Sequence, residues 1–539
     1  ANSKNNFILS RYRPFIAMNK NAFDLKPLPV STQEFTVIRG EGKLYVDKTD
    51  LVWQMANASA DVIFFARPRR FGKTLLVSTF EAYFNAQKEL FEGLKIMELE
   101  KEWKKYEVLR FDLSGCVTVE EFKSKLEMIL RGYERQYKID YIESTPGDRL
   151  SVLIKTISQG QRNVVLLVDE YDYPLQHTLF NEDKHEPLKD AYRNFFAVFK
   201  SQSRYIRFIF LTGITKFTGL SLFSVLNNIK VNGFWPEYQS ICGITEEEVH
   251  TTLRPYVLRL ADKLGLTEDE TYQAIKDHYD GYHFCEDGID IYNPYSLINA
   301  LSDRRLDDYW ASSGSTKMLM DAVDRIGWGG NDFNDIPVQK GQIQSSDVND
   351  HDLPLFLYQS GYLTIKGSTS RDYILGMPNT EVKTAMYEQI LPRIIKKSPR
   401  DTQSNIRIIY DSLDVLDVEK AMEGLKALVA DTPYSQDNSV NAMEEKFRFI
   451  VKNAMHLAGC FVDEEKQTAT GRIDLVCRYD TCILVIELKM TDNGGLEAAD
   501  QQIVNRKYIA PYMAQGKPIY AISLEFDAEK RCMTRYKVS

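Results

Sequence analysis

Gly471-Arg472-Ile473-Asp474-Leu475-Val476 is followed, after a short polar turn at Tyr479, Asp480 and Thr481, by Ile483-Leu484-Val485-Ile486-Glu487-Leu488-Lys489. Both are apolar stretches of strand length, and the spacer is hairpin-sized. Side chains two apart on a strand share a face, so Glu487 and Lys489 project together while Leu488 turns the other way, into a core. Asp474 lies on the preceding strand. The hairpin therefore predicts an Asp, a Glu and a Lys gathered at one end of one sheet.

Two carboxylates so placed suit a hard divalent cation, Mg²⁺ or Mn²⁺, that takes oxygen ligands and keeps waters for a substrate phosphate. Asp474 and Glu487 would hold it, and Lys489 would orient or deprotonate the attacking water. For a lone Glu-x-Lys, an ordinary salt bridge between strand-end charges is the plainer reading. The flanking sequence weighs against it. Apolar residues recur at helical spacing over 443–457 and again over 496–512, and a last strand is expected over 518–524.

Helix, three strands, helix, strand is the order of the PD-(D/E)XK nuclease superfamily, which the chain resembles from about residue 441 onward. The resemblance implies a restriction-endonuclease-like αβββαβ domain with Asp474, Glu487 and Lys489 as its catalytic motif. It also implies Gln502 as a polar residue on the following helix, and it matches Glu445 to an additional acid on the first helix. Some members of that superfamily only bind, so the motif is compatible with a non-cleaving module.

Far upstream, the apolar stretch over 61–66 leads into Arg67-Pro68-Arg69-Arg70-Phe71-Gly72-Lys73-Thr74, after which Leu75, Leu76, Phe80 and Tyr83 begin a helical pattern. Strand, loop and helix with Gly-Lys-Thr at the junction form a phosphate-binding P-loop. Lys73 would reach the β- and γ-phosphates and Thr74 would hold Mg²⁺. The backbone N–H groups around Arg69, Arg70, Phe71 and Gly72 would cradle the phosphates. The pattern normally starts with Gly where this chain has Arg67, so either the loop turns differently or nucleotide binding suffers. A second apolar strand ends in Asp169-Glu170, with Asp169 read as a Mg²⁺ ligand and Glu170 as the residue that polarises the attacking water. A third ends in Thr212-Gly213-Ile214-Thr215, where Thr212 or Thr215 would be a γ-phosphate sensor or merely a strand cap. Asp112, at the end of a strand over 106–113, has no evident role.

With Tyr45-Val46-Asp47-Lys48-Thr49, Tyr279-Asp280-Gly281-Tyr282 and Asn293-Pro294-Tyr295-Ser296 added, most of the chain resembles bacterial AAA-ATPase-like proteins fused to a C-terminal PD-(D/E)XK domain. The resemblance implies ATP as the nucleotide and an arginine-rich loop as the usual form.

At 539 residues with net charge −9, the chain is long enough for several domains and too acidic to coat DNA, so contact with nucleic acid, DNA ahead of RNA, must be local. Arg67, Arg69 and Arg70 form its densest basic cluster, assigned to nucleotide phosphates or a neighbouring subunit of a homo-oligomer. No apolar run suits a membrane span and no secretory signal opens the chain. Seven scattered cysteines without a Cys-x-x-Cys pair read as reduced thiols of a cytoplasmic protein, and the seven histidines lack metal-ligand spacing.

The expected partition is an arm over 1–26 with Met18 as a candidate start, a P-loop core over 27–243, a helical lid over 244–330, a winged-helix-like or spacer module over 331–398 and the nuclease-like domain over 399–539. The lid opens on a capping box at Thr245-Glu246-Glu247-Glu248 and continues helically through Leu253, Val257, Leu260 and Leu264. In the next module 361–365 should pair with 371–375. Lys366 and Arg371 are its only nearby basic residues, which favours docking over DNA reading. Polar residues over 398–405 suggest a boundary. The fold expected is therefore α/β multidomain: a P-loop core with a parallel sheet, a helical lid and a winged helix, then the αβββαβ domain. Two phosphate-chemistry sites in one chain suggest an ATPase-regulated nuclease. A nucleotide-dependent switch with a non-cleaving C-terminal module is the competing class, and a DNA-translocating motor is a third.

Overall fold

The computed structural model describes residues 25–178, 181–214, 229–231, 235–310, 333–345, 353–430, 440–468 and 471–539. They form two compact units. One holds the described residues up to Tyr309 with Ile336–Asn379; the other holds Trp310, 333–335 and the described residues from Thr380 to Ser539.

In the first unit, β1 (Val62–Ala66), β2 (Glu107–Asp112), β3 (Val164–Asp169), β4 (Ile206–Gly213) and β5 (Ile229–Val231) make one parallel sheet in the order β2-β3-β4-β1-β5. Every residue of β3 is buried, as expected of a strand covered on both faces. Alternation sorts the core. Ile209 and Leu211 pack with Leu166, Phe122 and Phe195 on one side, while Phe208 and Phe210 meet Phe80 of the helix Lys73–Phe84 on the other. Each such buried side chain contributes roughly 1.5–3 kcal/mol. The order puts β4 between the strand leading into 67–74 and the strand ending at Asp169, so those two sequences flank the end of β4.

The capping box forms: the Thr245 hydroxyl accepts the Glu248 N–H and the Glu248 carboxylate accepts the Thr245 N–H. The helix it opens, Glu246–His250, stops early, and a separate helix, Arg254–Leu264, follows. Pro255 explains the break, because proline is tolerated only in a helix's first turn. Helices Glu268–Tyr279 and Pro294–Asp303 complete this region.

β6 (Ile336–Gln339), β7 (Thr364–Ser368) and β8 (Asp372–Gly376) form an antiparallel sheet in the order β6-β8-β7, with helices Lys340–Ser345 and Leu353–Ser360 between β6 and β7. Strand, two helices and hairpin is a winged-helix order. The expected hairpin is present; β6 was hidden by Pro337, which an edge strand accommodates. Lys366 donates to the Gly281 and Pro378 carbonyls, which makes it a tie within the unit.

The second unit opens with helices Thr380–Ile394, Pro399–Asp414, Val418–Val429 and Val440–Leu457. The module expected over 331–398 is thus divided after Asn379. In the polar stretch over 398–405, Ser398 caps the helix Pro399–Asp414, and Arg400, Asp401, Gln403 and Ser404 lie on its exposed face. β9 (Phe461–Thr468), β10 (Gly471–Arg478) and β11 (Ile483–Met490) run antiparallel in sequence, and the helix Gly495–Asn505 crosses over to β12 (Ile519–Asp527), parallel to β11. β13 (Cys532–Val538) adds an unforeseen fifth strand on the outer side of β12. The helix expected to reach 512 ends at Asn505. Lys507 turns with φ +52°, and a 3₁₀ turn, Ala510–Gln515, lets Tyr508 and Tyr512 pack with Ile473, Val476 and Ile503.

Among the described residues no helix is long and apolar enough to cross a membrane, and the cysteines carry no disulfide.

Candidate functional site

In the first unit Ala66 and Gly213 are in register, and β3 ends beside β4. From Ala66 the chain loops over 67–72 and enters the helix at Lys73. The left-handed residues of the loop are Arg70 (φ +69°) and Gly72 (φ +83°), so position 67 does not demand glycine. Arg67 instead sends its side chain inward. Its guanidinium lies 4.5 Å from the Phe65 ring and 4.0 Å from the Phe284 ring, and it donates to the Ala66 and Gln239 carbonyls. Arg67 is thus a buried anchor beneath the loop. Phe71 is buried against Tyr282 and Phe284 and pins the other end. Arg70 stacks on Tyr295 at 4.5 Å.

Lys73 Nζ donates to the Arg67 and Pro68 carbonyls at 3.0 and 2.9 Å. Gly72, as N-cap, supplies no side chain, and the first N–H bonded back into the helix is that of Leu76. A lysine and a helix N-terminus thus meet at the end of this loop, an arrangement suited to an anion. The Thr74 hydroxyl lies beside the Asp169 carboxylate and favours its ionised form. Beside the loop is a cavity of about 340 Å³ lined by Val46, Lys48, Gly72, Ile244, Tyr295 and Ile298 among others. Thr212, expected as a sensor, is fully buried and donates its hydroxyl to the Phe65 carbonyl at 2.8 Å; it ties β4 to β1. Thr215 lies outside the described residues.

In the second unit the hairpin pairs Leu475 with Ile486, which sets Asp474 opposite Glu487. The Asp474 N–H points at Glu487 Oε2 (3.4 Å), and the Leu488 N–H donates to Asp474 Oδ2 (2.9 Å). Glu487 is fully buried and Lys489 Nζ lies 3.3 Å from its Oε1. Gln502 Nε2 donates to that same Oε1 and stands 3.3 Å from the Tyr508 hydroxyl. The structure therefore brings Asp474, Glu487, Lys489 and Gln502 together. The acid from the first helix is Glu444, not Glu445: Glu444 Oε1 is 4.0 Å from Lys489 Nζ, whereas Glu445 is exposed. One residue is a rotation of about 100° on a helix.

Residues 29–223 match the family described as predicted AAA-ATPase, and residues 442–536 match the PD-(D/E)XK nuclease superfamily. The chain carries these two segments in that order. A curated relative, described as an uncharacterized protein in the vnfD 5' region of Azotobacter chroococcum mcd 1, is 28% identical over 524 residues, spanning 95% of this chain and 99% of its own length.

In the AAA-like segment, burial pushes the Asp169 carboxyl up to about 6, against the Thr74 hydroxyl that lowers it. Burial also raises Glu170, with Lys73 opposing. Glu170 has φ +46°, a left-handed conformation that costs a non-glycine residue on the order of 1 kcal/mol. Lys73 is itself lowered by burial, partly offset by Glu170, Asp172 and Asp169. Asp172, unassigned in the sequence, is buried, accepts from the Ile214 N–H at 2.8 Å and is gripped by Gln176. It braces the end of β4. Asp112 pairs in register with Asp169 and adds negative charge there, its Oδ1 accepting the Ser114 N–H.

In the PD-(D/E)XK segment, burial raises Glu487 well above the ordinary carboxylate range and the facing Asp474 adds to it, while Lys489 opposes both. Asp474 is raised too, chiefly by burial. A buried carboxylate and a partly buried one that repel each other are a donor set that fits a divalent oxygen-liking cation. Arg448 also faces this group, with Nη1 3.7 Å from Asp474 Oδ1. Its spacing of four from Glu444 was the available signal, since residues four apart share a helix face.

Proposed function

We propose that the chain is an ATP-binding, AAA-like ATPase coupled to a metal-dependent phosphodiesterase of PD-(D/E)XK type that acts on nucleic acid, DNA ahead of RNA. The observation that carries the reading is the complete group Asp474, Glu487, Lys489 and Gln502 around a carboxylate pair whose Glu487 is fully buried. A decayed binding module would have no reason to retain the cost of burying it.

At the first site Lys73 would exchange its two carbonyl partners for nucleotide phosphate, Thr74 and Asp169 would hold Mg²⁺, and Glu170 would polarise the water that attacks the γ-phosphate. The neighbouring cavity, lined by Val46, Ile244, Ile298 and Tyr295, would take the base. At the second site a Mg²⁺ or Mn²⁺ ion held by Asp474 and Glu487 would stabilise charge on the phosphoryl oxygens and acidify a bound water. Lys489, held as a cation beside Glu487, would orient that water and offset the charge of the hydroxide it becomes. Gln502, steadied by Tyr508, fixes Glu487 Oε1.

The test is incubation of the full chain with single- and double-stranded DNA and RNA, with Mg²⁺ or Mn²⁺, with and without ATP. Cleavage should fall by about 100-fold or more in Lys489→Ala. Lys73→Ala should abolish nucleotide binding and any response of cleavage to ATP. Cleavage of no substrate, with ATP turnover intact, would favour a nucleotide-dependent switch instead.

A further inference from the structure

The helix Val440–Leu457 presents Glu444, Arg448 and Lys452 at intervals of four, on one face. Each meets a different partner. Glu444 faces Lys489, and Lys452 is paired with Glu464 of β9. Arg448 faces the Asp474 carboxylate, and both side chains are about 15% exposed. At 3.7 Å the contact is a loose ion pair, not a docked bidentate one, which is the geometry an arginine normally takes with a carboxylate it serves structurally. Asp474 Oδ2 already accepts the Leu488 N–H, so Arg448 lies against Oδ1, the oxygen left for a cation.

We propose that Arg448 is a phosphate-binding residue of this site: with a divalent cation on Asp474 and Glu487, its guanidinium passes from Asp474 to the nucleic-acid phosphodiester. This rests on the metal-binding part of the function proposed above. Charge and shape both favour it. Glu444, Asp474 and Glu487 carry three negative charges against two positive ones on Lys489 and Arg448, and a dication reverses the balance, drawing in an anion. The same dication repels Arg448 from Oδ1, the oxygen it now faces. A phosphodiester matches its planar donor fork.

The test uses the full chain with Ca²⁺, which supports binding without turnover, and labelled single- and double-stranded oligonucleotides followed by fluorescence anisotropy. Mn²⁺ binding is titrated in parallel. Arg448→Ala should bind Mn²⁺ at least as tightly as the unaltered protein, because a competing cation is gone, while cation-dependent oligonucleotide binding weakens tenfold or more. Arg448→Lys should fall between. Arg407→Ala, on an exposed helix face, should change neither. Unchanged oligonucleotide binding in Arg448→Ala overturns the proposal, as does loss of Mn²⁺ binding in a folded variant, which would make Arg448 a support for Asp474. An unaltered protein that binds Mn²⁺ but no oligonucleotide also overturns it. One that binds oligonucleotides through Arg448 but never cleaves them leaves the proposal standing and removes the nuclease reading.

Discussion

The Arg67 guanidinium lies 4.0 Å from the Phe284 ring, buried under the loop over 67–72 where phosphate-binding loops usually begin with glycine. The substitution is therefore part of how this loop is held. A desolvated cation–π contact is worth about 2 kcal/mol, and the packing of the buried stem adds to it. Burial lowers the guanidinium to about 10, so it stays charged at neutral pH. Restoring the usual residue, Arg67→Gly, should destabilise the protein by roughly 2–4 kcal/mol and weaken ATP binding. Thermal unfolding and nucleotide titration check this. Tighter ATP binding in the variant would overturn the anchoring role.

Gly213 is equally specific. A Cβ there would sit 2.3 Å from Asp172 Oδ1 and 2.9 Å from the Tyr171 ring, and Asp172 is held by Gln176 and the Ile214 N–H. Gly213→Ala should displace the end of β4 beside the loop, lowering the melting temperature and at least tenfold the ATP affinity. Asp172→Ala, which makes room, should partly rescue Gly213→Ala if the clash is the cause.

The raised Glu487 carboxyl sets a pH dependence. Its folded value lies above its unfolded one, so between the two the native state holds more protons. Native stability contributed by this group is full below about pH 4.3 and is lost as pH rises to the raised value. Cation binding must expel the proton, so Mn²⁺ affinity should climb over that window and level off above it. Calorimetry across pH 5–8, on the order of the range where a buried Glu titrates, measures the slope. Glu487→Gln should abolish both the binding and the slope.

Glu444 and Glu445 separate cleanly. Glu444→Gln removes a charge near Lys489 and also disturbs the bond from Asn493, so metal-dependent cleavage should drop about tenfold. Glu445→Gln, on the exposed side, should change neither cleavage nor melting temperature. Equal effects from both would show that the helix is rotated from the position described.

The strands were legible because their apolar runs are unbroken: β3 is buried at every residue, and β11 alternates only at Lys489. Thr212 stayed open between a sensor and a strand cap because a threonine at a strand end reads the same whether its hydroxyl faces a ligand or, as here, the neighbouring Phe65 carbonyl. β6 and β13 were missed for local reasons, a proline in one and mixed polarity in the other. The early end of the helix before Lys507 was not readable either, since Tyr508 and Tyr512 keep helical spacing although they reach the core through a 3₁₀ turn.

By itself the sequence determined the two sets of chemistry-bearing residues, because strand alternation fixes which neighbours share a face: Glu487 with Lys489, and the loop with Lys73 and Thr74 at a helix start. Only the tertiary structure decided what those residues touch. Whether Arg67 points to a phosphate or into an aromatic core, and whether Glu444 or Glu445 turns toward Lys489, depends on how each element is rotated against its neighbours. That rotation is fixed by the packing of distant residues such as Phe284 and Phe526, the latter stacked on Phe447 of the same helix as Glu444.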